Sequence, residues 1–264
     1  MTDHINIRQL TSMDEMKDMQ VVEETVWQMP PTPVHQTYTA LNNGGIILGA
    51  FDGEKMIGFL YSFAGFDGEK PYLCSHMLGI LPEYRKDGLG RKMKLKQAAI
   101  AKEKGYSMIT WTFDPLESLN AYLNIHKLGA IGAHYKENHY GSMNDGLNQG
   151  LPTDRIQIEW NMDDTFTSPN LSLDTNKLLV DVNENGVPKV SERFTSDFTG
   201  DQHSWFVPIP THFQDIKKEN IERAKQWRYE TRRIFQALFQ HGYVAKNVIR
   251  DDSNALTYYY FSKK

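Results

Sequence analysis

The chain has 264 residues, 40% hydrophobic and 12% aromatic, which excludes a disordered chain and suits one large domain or two modest ones. Its 29 Lys and Arg against 33 Asp and Glu give a net charge of −4, so a nucleic-acid or anionic-membrane surface is disfavoured. A single cysteine excludes an internal disulfide, no apolar run reaches the ~18 residues of a membrane span, and the polar stretch Met1 to Leu10 lacks a signal-peptide pattern; a cytoplasmic globular protein is expected.

In chain order, Ile5 to Ile7 reads as a short strand, and Met13 to Val26 as a helix stopped by the prolines that follow Trp27. A second helix spans Val34 to Asn43. Ile46 to Phe51 and Met56 to Phe63 form a hairpin around Asp52-Gly53, and Tyr72 to Ile80 is the next strand. Leu89, Met93 and Ile100 mark one face of a helix that Gly105 ends. After a strand from Met108 to Phe113, Asp114-Pro115-Leu116-Glu117 reads as a capped helix start, with the helix running to about Leu128. Ala130 to Tyr135 and Ile156 to Trp160 close this part as strands. The alternation of helices and strands predicts an α+β fold.

Composition turns polar from Asn161 to Asn176, so the chain divides at residue 162, with an α+β extension over 163–264. There, Leu178 to Val182, Val187 to Val190 and Trp205 to Ile209 read as strands. One long helix is predicted to open at Pro210-Thr211-His212-Phe213-Gln214 and to end at Gly242, followed by strands Tyr243 to Ile249 and Leu256 to Phe261. Its basic residues Arg223, Lys225, Arg228, Arg232 and Arg233 read as a solvated face, or as a dock for a carboxylate.

The stretch Leu78-Gly79-Ile80-Leu81-Pro82-Glu83-Tyr84-Arg85-Lys86-Asp87-Gly88-Leu89-Gly90-Arg91 carries the most chemistry. A strand runs through a proline turn and a glycine loop into a helix. Such a junction aims backbone N–H groups and the positive end of the helix dipole at one point, and a pyrophosphate is its natural guest. Neither a P-loop nor a dinucleotide-fold glycine pattern is present.

Ile80-x-Pro82-Glu83-Tyr84 followed by Arg85-x-x-Gly88-x-Gly90 closely resembles motif A of the GNAT superfamily of acyl-CoA-dependent N-acyltransferases. Ser118 to Ala130 resembles motif B, with Ser118, Ala121, Lys127, Gly129 and Ala130 in register. Ser75-His76-Met77-Leu78, Thr112-Phe113-Asp114-Pro115-Leu116, Trp227-Arg228 and Gly242-Tyr243 further resemble a bacterial subgroup of longer predicted acyltransferases. The likeness covers about residues 5 to 160. It implies a mostly antiparallel, splayed sheet flanked by helices, with acetyl-CoA or another acyl-CoA as co-substrate and no metal. Leu78, Gly79 and Ile80 would hold the pantetheine arm. The loop Arg85, Lys86, Asp87, Gly88, Leu89, Gly90 and Arg91 would hold the pyrophosphate, and Ser118 and Asn120 of motif B complete the donor site.

The implied reaction is direct attack of a small-molecule primary amine on the thioester. The tyrosine of motif B that protonates the leaving thiolate falls at Ile125, which has no proton to give. Tyr135 and Tyr140 are the candidates to replace it. His76 is the candidate base, and on a regular strand it shares a face with Cys74 and Leu78. Acetyl is the default acyl group. An N-succinyltransferase acting on amino acids, its cations supplied by the arginine-rich helix, and a non-catalytic acyl-CoA sensor are the alternatives.

Overall fold

The computed structural model describes residues 4–85, 88–143, 148–163, 171–194, 198, 200, 202–251 and 253–264. The chain forms two compact units, one of Met1–Trp111 with Trp160–Asp164 and one of Thr112–Glu159 with Thr165–Lys264. The division expected at residue 162 does not coincide with these units, because a strand at 131–136 pairs with one at 243–251, Gly132 opposite Ala245. Among the described residues no helix is long and apolar enough to cross a membrane.

In the first unit, β1 (Asn6–Gln9), β2 (Ile46–Asp52), β3 (Lys55–Phe66) and β4 (Pro71–Ile80) form an antiparallel meander. The start of β5 (Met108–Phe113) adds to β4 in parallel. Helices α1 (Met13–Trp27) and α2 (Val34–Asn42) cover one face, where Trp27 packs edge-on against Phe59 at 5.7 Å. Helix α3 (Leu89–Glu103) covers the other, burying Leu89, Met93, Gln97 and Ala101. The start of α1 is fixed by a capping box: Ser12 accepts from the Glu15 amide, and Glu15 accepts from the Ser12 amide.

Two features of β4 position the site. Its ladder with β5 covers only Leu73/Ile109 and Cys74/Thr110, so from Ser75 to Ile80 this edge has no ladder partner among the described residues. On the other side, Tyr61 opposes Met77 while Ser62 opposes Ser75, so His76 is the extra residue of a β-bulge. The bulge corrects the expected facing. Cys74, Met77 and Gly79 oppose Phe63, Tyr61 and Phe59 on the α1 side, whereas Leu78 opposes Leu60 on the α3 side.

In the second unit, β6 (Ile131–Lys136) and β7 (Arg155–Asn161) pair antiparallel. β8 (Val180–Val182) and β9 (Pro188–Val190) make a separate hairpin. β10 (Ser204–Pro210), β11 (Tyr243–Asp251) and β12 (Leu256–Lys263) extend the antiparallel pattern beyond β6. The predicted helix start at Asp114 is a turn instead: Asp114 accepts from the Leu116 amide at 2.8 Å. Helix α4 (Ser118–Ala121) begins four residues later and passes into a π-helical turn over Tyr122–Lys127. The single long helix predicted from Pro210 is two, α5 (Phe213–Glu219) and α6 (Ile221–Gln240). Asn220 breaks it with φ −153° and ψ 97°, and its side chain caps α6 by accepting from the Arg223 amide. Trp227, Ile234, Phe235 and Leu238 of α6 pack into the core with Tyr259 and Phe261 of β12.

Candidate functional site

The end of β4 leads through a short turn to the N-terminus of α3. Arg85 ties the turn down by donating from Nε to the Ile80 carbonyl at 2.9 Å. Gly88 takes the N-cap position of α3 at φ +73°, makes no side-chain cap, and has open space where a Cβ would project. Fifteen residues of aligned peptide dipoles stand behind it. The arrangement fits a diphosphate, since the first-turn N–H groups of a helix have no intrahelical acceptor. Leu89 is buried under the helix, Gly90 is half-buried and Arg91 is exposed. Lys86 and Asp87 lie outside the described residues.

Leu78, Gly79 and Ile80 sit on the β4 edge that faces the gap. Gly79 is required for close packing, because a Cβ there would lie 2.7 Å from Phe59 and 3.0 Å from Trp27. His76 protrudes from the bulge, exposed, with its ring near Tyr61 and Phe63. Partial desolvation pulls its pKa below the ordinary histidine value, while the charge of Glu23 acts in the opposite direction. Glu23 itself is 5% exposed. It accepts from the Thr32 amide at 2.9 Å and hydroxyl at 2.8 Å, and its other oxygen is buried without a hydrogen-bond partner.

On the α3 side, Lys94 is 4% exposed and reaches the sheet. Its Nζ donates to Ser75 Oγ at 2.7 Å and lies 3.7 Å from the centre of the Trp111 ring. Gln97 donates to the same Ser75 oxygen at 3.0 Å.

In the second unit, Tyr135 donates to Asp154 at 2.5 Å and packs against Phe235 and Phe239. Burial, together with the Asp154 charge, pushes its pKa far above the ordinary phenol value, which makes it a poor acid. Tyr140 is exposed and its hydroxyl lies 3.0 Å from Thr112 Oγ1. Ser118 is buried and donates to the Thr211 carbonyl at 2.7 Å; Asn120 is exposed. The basic helix is not a uniformly solvated face. Arg228 is 1% exposed and paired with Asp114, and Arg232 clamps both oxygens of Asp154 at 2.8 Å. Their cations are therefore neutralised by carboxylates of the same unit. Among the described residues no three His, Cys, Asp or Glu side chains converge as a metal site.

Residues 13–129 match the family model described as the acetyltransferase (GNAT) family. Residues 13–129 are thus similar to a GNAT acetyltransferase domain, over a little under half of the chain. Among solved structures, the ribosomal-protein-S18-alanine N-acetyltransferase of Escherichia coli is similar at TM-score 0.50 and 15% identity, over 64% of this chain and 99% of that one. Naa50 of Arabidopsis thaliana, in complex with the bisubstrate analogue CoA-Ac-MVNAL, matches at TM-score 0.48 and 12% identity, over 60% of this chain and 99% of that one. A GNAT acetyltransferase of Elizabethkingia anophelis with acetyl-CoA bound matches at TM-score 0.45 and 17% identity, over 60% and 99%. No protein of curated function matches by sequence. The fold is thus the α+β GNAT fold, with added strands and helices at the C-terminus.

Within the stretch matched to that family the structure brings Leu78, Gly79, Ile80, Arg85, Gly88 and Leu89 together around the β4–α3 junction, with His76 further back on the same strand. Sequence reading passed over Glu23, Lys94 and Gln97. Lys94 had one legible signal: it stands three residues before Gln97 and seven before Ala101, on the buried stripe of α3.

Proposed function

We propose that this protein transfers an acyl group, acetyl by default, from acyl-CoA to the primary amine of a small molecule, by direct attack in a ternary complex. The observation that carries this reading is the β4 edge from Ser75 to Ile80, which has no ladder partner among the described residues and leads to the N-terminus of α3, where the N-cap Gly88 has no side chain. The edge offers N–H and C=O groups to an extended arm, as an added strand would, and the α3 amides offer a seat for its diphosphate. Arg85, Gly88, Leu89, Gly90 and Arg91 supply that seat.

His76 takes the proton of the incoming amine, which is mostly protonated in water at neutral pH. A depressed histidine pKa keeps the ring neutral and able to accept that proton. An N–H of the β4 edge supports the carbonyl oxygen as charge gathers there. The buried, half-partnered carboxylate of Glu23 favours a cationic acceptor near His76. Because Arg228 and Arg232 are already paired, a succinyl group gains little from α6, and acetyl is the better donor. A single cysteine, Cys74, is in keeping with a reducing compartment such as the cytoplasm.

Thiol release from acetyl-CoA and succinyl-CoA across a panel of amines, amino acids and peptide N-termini tests the proposal. Acetyl-CoA turnover with small amines is expected. Peptide N-termini belong on the panel because the Escherichia coli neighbour acts on ribosomal-protein S18 alanine. Ile125, fully buried at the motif B tyrosine position, favours a second reading, an acyl-CoA sensor. Tight donor binding without thiol release on every acceptor would establish it.

A further inference from the structure

Lys94 is buried between α3 and the sheet, with its Nζ on Ser75 and over the Trp111 ring. Leu73 and Ile109 are the first parallel pair, so two residues on, Ser75 and Trp111 share the α3 face of their strands. Between them the ladder has already ended. Lys94 Nζ contacts both, and so lies over the opening of the β4–β5 gap.

A buried ammonium without a counter-charge is costly, and among the described residues no carboxylate pairs with this one. Burial lowers its pKa to about 7, against a raising influence of Cys74. Of the titratable side chains on β2, β4, β5 and α3, Cys74 is the one whose charge is felt at Nζ. Ser75 Oγ already accepts from Lys94 and Gln97. A hydroxyl has two lone pairs and one hydrogen, so both acceptor positions are filled and only its O–H remains to be given. Gln97 Oε1 is buried without a partner, so the cluster holds polar capacity that the folded chain does not use.

We propose that Lys94, acting through Ser75, delivers the proton to the thiolate that leaves the donor, the task for which Ile125 is unfit. This rests on the acyl-CoA reading above. As the amine nitrogen bonds to the acyl carbon, the carbon–sulfur bond breaks and its electron pair goes to sulfur. Ser75 gives its hydrogen to that sulfur and takes one from the Lys94 ammonium. The amine proton goes to His76. Neutral Lys94 recovers a proton from water and His76 returns one, so the cycle closes without another reactant.

The experiment combines turnover with a binding readout. With acetyl thioesters of graded thiol pKa, wild-type kcat is expected to vary little with the leaving group. Lys94→Met is expected to lose roughly 100-fold in kcat with acetyl-CoA, at a nearly unchanged donor KM, and to depend steeply on thiol pKa. Lys94→Arg, charged but unable to release a proton, is expected not to restore the rate, and Ser75→Ala to show the same steep dependence. A wild-type slope as steep as that of Lys94→Met, or full rescue by arginine, would overturn the proposal. If Lys94→Met does not fold, the steep or shallow wild-type slope still decides. Free CoA titrated by thiolate absorbance separates this inference from the proposed function. Bound to wild type its thiol is expected to ionise at lower pH than when bound to Lys94→Met. An unshifted thiol counts against Lys94, whereas a shifted thiol with no turnover on any amine counts against the transferase reading alone.

Discussion

Tyr135 and Arg232 grip the same carboxylate: the phenol donates to Asp154 Oδ2, while the guanidinium donates from Nε to that oxygen and from Nη2 to Oδ1. Asp154 is fully buried, and its charge is met on both sides. Tyr135→Phe removes one of these bonds and leaves the bidentate clamp in place. Stability is expected to fall by about 1–3 kcal/mol in urea melts, with kcat unchanged. A large loss of kcat would return Tyr135 to the chemistry.

Gly88→Asp asks an L-residue to adopt φ +73° and sets a negative charge at the mouth of α3. Calorimetry is expected to show donor affinity lowered by roughly 100-fold or more, about 2.7 kcal/mol. Unchanged affinity would move the diphosphate away from this helix.

His76 acts as a base only when neutral. Desolvation depresses its pKa, so the acid limb, on which the rate rises with pH, is expected to lie below that of an ordinary histidine, and the rate is expected to fall again at higher pH as Lys94 loses its proton. His76→Ala is expected to abolish this acid limb and lower kcat by roughly 100-fold, with donor KM nearly normal. A limb that persists in the variant would remove His76 from proton transfer.

Arg228 is buried against Asp114. Arg228→Met removes the nearer of the two guanidiniums on Asp114, leaving Arg155 at 3.5 Å, and is expected to cost about 3 kcal/mol. Adding Asp114→Leu is expected to recover part of that loss, since two apolar groups replace the pair. Chemical denaturation of the four proteins of this cycle measures the coupling, and additive losses would show the pair to be independent.

At Glu15, desolvation raises the carboxyl pKa, but the Thr11 amide, Arg8 and Ser12 together hold it down at about 2. The folded value lies below the unfolded one. The stabilisation is therefore present above pH 4.5 and is lost as pH falls toward 2. The group is partly exposed and screened, so Glu15→Gln is expected to lower stability by only about 1 kcal/mol at neutral pH. The difference from wild type should vanish in acid melts.

The strand–turn–helix of motif A was legible because its glycines, proline and apolar alternation are local signals. The β4 bulge was not, since an inserted residue leaves no mark on composition, and the expected side of Leu78 was wrong for that reason. Asp114 reads as a helix cap in isolation. Its actual partner, Arg228, stands 114 residues away, and no local pattern announces such a pair. Asn220, in contrast, carried a readable signal: an N-cap residue inside an otherwise continuous helical run. Lys94 stands on a lysine-rich helix, where surface charge and buried charge are spelled with the same letter.

The pairing of Gly132 with Ala245 has a practical cost for anyone trimming this protein to its acyltransferase motifs. A fragment stopped near residue 162 would bare one side of β6 as an open template for aggregation. It would also leave Asp114 without Arg228 and Asp154 without Arg232, so each acid loses its closest cation. What reads as an appendage along the chain belongs to the same compact unit as residues 112–159.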